Sequence, residues 1–124
     1  MTDMIRVDAH VHLYRTREEG STEKRGYEVW EYGTQTDIHE TECVGTVDEL
    51  LVQMEATSIS KAVIVNLFSA KVNRQIAVAA LPEQLTESEK GQRLADINAW
   101  IRDEIISFNR WNCDISRQNS GLVP

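Results

Sequence analysis

The chain has 124 residues, 41% of them hydrophobic and 27% charged, so these residues are expected to make at most one domain, with a globular rather than a disordered profile. A formal net charge of −7, with no basic stripe and no interleaving of aromatic and basic residues, argues against nucleic acid and anionic membrane as partners. No apolar run reaches membrane-spanning length, the N-terminus lacks a signal peptide's apolar stretch, and Cys43 and Cys113 stand far apart outside any Cys-x-x-Cys pattern, so a cytoplasmic protein with two reduced thiols is expected.

Residues 5–14, Ile-Arg-Val-Asp-Ala-His-Val-His-Leu-Tyr, read as a strand. Side chains alternate along a strand, which predicts Asp8, His10 and His12 on one face and Ile5, Val7, Ala9 and Val11 on the other. Neutral imidazole is the commonest protein ligand for zinc and similar ions, and two of them on one strand face can reach a single ion. Metal ligation by His10 and His12 is the expectation, against an exposed pair with no role.

Residues 15–45 are polar and predict a long solvated loop, with an aromatic strand or hairpin arm at 27–32 and a second arm at 36–39. His39, within that loop, reads as a surface histidine. Thr46 and Glu49 then form a capping box, and Val47, Leu50, Leu51 and Met54 repeat at helical spacing, so a helix is expected from Thr46 to about Ser58. The β-branched run at 61–68 reads as a buried parallel strand, with Asn66 near its C-terminal end, placed either to cap the next loop, the favoured reading, or to contact substrate. A helix is expected over 74–81, stopped by Pro82, with Asn73 as its N-cap. Leu94, Ile97, Ile101, Ile105 and Phe108, widened by Trp100, Ile106 and Trp111, form a core-facing stripe on a helix over 88–112. Gly121-Leu122-Val123 looks like a turn entering a third strand.

Residues 5–14 resemble the first strand of the amidohydrolase superfamily, metal-dependent hydrolases on a (β/α)8 barrel, in which an Asp-x-His-x-His segment ends strand 1 and both histidines bind the catalytic ion. Residues 46–66 resemble its amidohydrolase-related branch, which also contains decarboxylases of the aminocarboxymuconate semialdehyde type; that branch commonly has Gly where Ser58 stands. The resemblance implies an α/β fold in which residues 1–124 are the βαβα N-terminal portion of a TIM barrel. Such a barrel needs eight βα units and about 250 residues. It further implies a divalent metal, zinc foremost, on His10 and His12. Asp8 would hydrogen-bond an imidazole from behind. Trp30 and Tyr32, on the loop at the catalytic face, would either cap the metal or pack that loop onto the barrel. The implied activity is hydrolysis of a C–N or C–O bond in a small-molecule substrate by metal-activated water, with the general base an aspartate beyond residue 124. Non-hydrolytic decarboxylation, a sister phosphoesterase or nuclease barrel, and a non-catalytic α/β domain with an incidental His pair stay open. By itself the chain is expected to be inactive, marginally stable and prone to self-associate as a homo-oligomer through its uncovered sheet.

Overall fold

A computed structural model describes residues 4–32 and 42–124, apart from the side chains of 27–32. In chain order the elements are β1 (Val7–Val11), α1 (Arg17–Tyr32), α2 (Val47–Thr57), β2 (Lys61–Ile64), α3 (Ala70–Ala79), α4 (Glu87–Gln118) and β3 (Leu122–Val123). The strands form one parallel sheet in the order β1-β2-β3, so the fold is mixed α/β. Among the described residues no helix is long and apolar enough to cross a membrane. Cys43 and Cys113 are both exposed and are not joined in a disulfide.

Local chemistry accounts for α2 and α4. At each, a Thr side chain accepts the N–H of a Glu three residues on, and that Glu accepts the Thr N–H: Thr46 with Glu49, and Thr86 with Glu89. Burial pushes the Glu49 carboxyl up. The N–H groups of Thr46, Val44 and Gly45 and the nearby Arg17 outweigh that and hold it below its ordinary value. Helix α2 ends as expected at Ser58, which adopts a left-handed φ of 55° and returns its N–H to the last turn. Helix α4 runs six residues beyond the expected end at 112 and turns through Asn119 into β3.

The region expected as a loop with a hairpin is corrected: residues 17–32 are α1, and 27–32 lie in its last turns. Thr16 accepts the Glu19 N–H at 3.1 Å, and Glu18 and Glu19 suit the positive end of the helix dipole. Gly20, read as a loop residue, is instead where α1 meets the chain before α2, since a Cβ there would lie 2.1 Å from the Val44 carbonyl oxygen. The expected arm at 36–39, with His39, lies outside the described residues.

The core lies on one face of the sheet. Leu13, Met54, Ala62, Ile64, Ile115 and Leu122 form it, with Val11, Leu50, Leu51 and Trp111 packed around them. Strand β2 is four residues long, shorter than the 61–68 run. Ile101 and Phe108 of the α4 stripe are buried, whereas Trp100, Ile105 and Ile106 are exposed, and the stripe continues through Asn112 and Ile115. Tyr14, just past β1, stacks on Phe108 with ring centroids 6.1 Å apart. Burial, with Glu23 and Glu19 nearby, pushes its hydroxyl up to about 12. Arg15 sits over the Phe108 ring and pairs with Glu19 and Glu104, which lift its guanidinium further above its already high value.

Candidate metal centre

The register of β1 decides where its histidines go. Val7 pairs with Lys61 and Asp8 with Ala62, but the next partners are Val11 and Ile64, so β1 carries one residue more than β2 across this step. A bulge of this kind flips every later side chain to the opposite face. Asp8 therefore shares the helix-covered face with Ala62, and so do Val11 and Leu13 beyond the bulge, both of which join the core. His10 and His12 point from the other face. This corrects the simple alternation twice over. Asp8 does not share a face with the histidines, and the expected apolar face is split, with Ile5, Val7 and Ala9 exposed and Val11 packed inside. The Asp8 carboxylate accepts the His10 backbone N–H at 3.1 Å, a turn-forming bond at the bulge, so its bond is to the main chain and not to an imidazole.

The two rings converge. His10 Nε2 and His12 Nε2 are 3.2 Å apart, with the ring planes at 85°. His12 Nδ1 lies 2.7 Å from the carbonyl oxygen of Val65, the first residue past β2. A carbonyl oxygen can only accept, so Nδ1 of His12 is the donor, and in the neutral ring Nε2 then carries the lone pair. His10 Nε2–H then donates to that lone pair, and an ion entering between the rings would displace this proton. The geometry suits such an ion. With metal–nitrogen bonds of about 2.0–2.1 Å, a 3.2 Å nitrogen separation gives an N–metal–N angle of roughly 100°, close to tetrahedral. A backbone carbonyl on the far nitrogen is also how ligating imidazoles are commonly held in orientation.

Neighbouring main chain fixes the setting. The Val65 N–H donates to the Val11 carbonyl at 2.8 Å, and the Tyr14 N–H to the Gly45 carbonyl at 2.8 Å, tying both strand ends to each other and to the start of α2. The pair thus sits at the C-terminal edge of parallel strands, where open α/β sheets and barrels place their ligands. Among the described residues no group of three or more His, Cys, Asp or Glu side chains gathers to hold an ion, so no third such side chain joins His10 and His12.

Other residues singled out in the sequence lie elsewhere. The Asn66 side-chain amide donates to Asn109 on α4. The N-cap of α3 is Ser69 rather than Asn73, which lies one turn inside the helix. Trp30 and Tyr32 fall at the end of α1, and their side chains lie outside the described residues. A cleft of about 530 Å³ beside Arg15, Arg110 and Trp111 and another of about 450 Å³ beside Glu19, Phe68 and Trp100 include neither histidine. The residue that sequence reasoning missed is Glu23, a carboxylate only 3% exposed in the middle of α1. The available signal was Thr16-x-x-Glu19, which opens a helix and would have placed Glu23 one turn further along its Glu19 face.

Searches against protein-family models, curated proteins and solved structures return no match to this chain.

Proposed function

We propose that the chain forms the N-terminal βαβα part of a (β/α)8 metal-dependent hydrolase of the amidohydrolase type, acting on a C–N or C–O bond of a small molecule. The observation that carries this reading is the convergence of His10 Nε2 and His12 Nε2 at 3.2 Å, with His12 held through Nδ1 by the Val65 carbonyl. A divalent ion bound there, zinc foremost, supplies Lewis-acid activation of water at neutral pH. The chain's own residues do the holding: His10 and His12 ligate, Val65 fixes the His12 tautomer, and the Asp8 bond to the His10 N–H sets the bulge that aims both rings. The uncovered side of the sheet, where Val7 is 53% exposed and Val123 39%, supports the barrel as the wider setting, because a barrel fills that side with side chains from its other strands.

The test is titration of the metal-free chain with Co²⁺ and competition with Zn²⁺, read by visible absorption and calorimetry. The chain supplies two of the three protein ligands usual for a catalytic ion, so the expected result is weak binding of one ion that perturbs the NMR signals of both imidazoles and is lost in His10→Ala and His12→Ala. Binding that survives both substitutions, or no binding by the wild-type chain, overturns the reading.

A further inference from the structure

Helix α3 starts without a cap of its own. Its N-cap residue, Ser69, makes no side-chain capping bond. The first turn of a helix leaves N–H groups that need acceptors. Here the acceptor comes from another helix. Glu23 of α1 takes the Ser69 N–H on Oε2 at 2.9 Å and the Asn73 side-chain amide on Oε1 at 2.8 Å, and Asn73 also donates to the Ser69 carbonyl. The carboxylate lies at the positive end of the α3 dipole.

This anchor has a consequence for the histidines. The segment 65–69 connects β2 to α3. At one end Val65 is fixed by its N–H bond to Val11 and accepts the His12 Nδ1–H. At the other end Ser69 is fixed by Glu23, and between them Asn66 is tied to Asn109. The carbonyl that selects the His12 tautomer therefore belongs to a short span whose far end is tied to α1 through one buried carboxylate. We propose that Glu23 is a positioning residue for the metal pair: through Ser69 it holds the 65–69 span so that the Val65 carbonyl keeps the His12 proton on Nδ1 and the Nε2 lone pair toward His10. The inference builds on the reading that His10 and His12 hold an ion. It makes no claim that Glu23 touches the ion or a substrate.

Glu23→Ala removes both acceptor oxygens. Glu23→Gln keeps one acceptor for Ser69 but sets its own amide against that of Asn73. Thr46→Ala, which weakens α2 without touching the span, serves as a control for lost stability alone. The experiment measures the His12 tautomer by long-range ¹H–¹⁵N correlation on the metal-free chain, and Zn²⁺ affinity by competition with Co²⁺. Outer partners of metal-binding imidazoles typically change affinity by about 10–100-fold. The expected result is a single Nδ1–H tautomer in the wild type and Thr46→Ala, a mixture of tautomers with affinity about tenfold weaker in Glu23→Ala, and intermediate values in Glu23→Gln. If Glu23→Ala does not fold, Glu23→Gln is read in its place. Wild-type tautomer and affinity in the folded variant overturn the proposal, as does a shift equally produced by Thr46→Ala. Absence of zinc binding by the wild type overturns the metal reading instead, and the tautomer measurement still decides the role of Glu23.

Discussion

Helices α2 and α3 flank the same strand, yet they begin in opposite ways. The first turn of α2 is closed by neighbours in sequence, Thr46 and Glu49, and that of α3 by Glu23, which is 46 residues away from Ser69. A local cap forms whenever its few residues become helical. A distant cap exists only after α1 has docked, so α3 and the span before it depend on tertiary structure. The half of the site built on Val65 inherits that dependence.

The largest effect that tests this contrast is expected at Glu23. Its replacement by Ala leaves the half-buried Ser69 N–H and the Asn73 side-chain amide without their acceptor, at a cost of about 1–3 kcal/mol in urea unfolding followed by circular dichroism. Thr46→Ala removes one local cap and is expected to cost about 1 kcal/mol by the same measurement. A larger loss at Thr46 than at Glu23 would break the comparison.

Ser58→Gly is expected to act in the other direction. Ser58 holds φ at 55°, a region where glycine meets no Cβ penalty, so the variant should gain about 0.5–1 kcal/mol. An unchanged or lowered urea midpoint would show that the turn carries no strain. Acid sharpens the contrast further. Glu49 has a folded value below its ordinary one, so its contribution is present above the ordinary carboxylate range and fades as pH falls through the lower, folded value. Glu49→Gln should therefore flatten the acid limb of stability against pH; an unaltered limb would remove Glu49 from that account. The smallest effect is expected from Thr86→Ala, a loss below that of Thr46→Ala, because the α4 cap is exposed and far from the sheet core.

Asp8 and the bulge show how far the order of residues carries. Alternation along residues 5–14 identified the strand and set His10 and His12 on a common face, two residues apart. It put Asp8 with them because nothing in the alternation marks where one strand gains a residue on its neighbour. That gain is decided by pairing with Ala62 and Ile64, which seats Val11 and Leu13 in the core. Trp30 and Tyr32 teach a related lesson. Their β-propensity suggested a hairpin arm, but the helix begun at Thr16 and Glu19 continues through them, because helical hydrogen bonding propagates once nucleated.

The sequence by itself determined the elements whose signals are local: the cap at Thr46, the helix end at Ser58, the apolar run of β2, the turn into β3, and the imidazole pair. Tertiary structure alone decided which face that pair occupies, which carbonyl orients His12, and that a buried Glu23 closes α3. The physical reason is range. A cap or an amphipathic stripe is settled by groups a few residues apart, whereas strand register and a borrowed cap depend on contacts that exist only once the elements have packed.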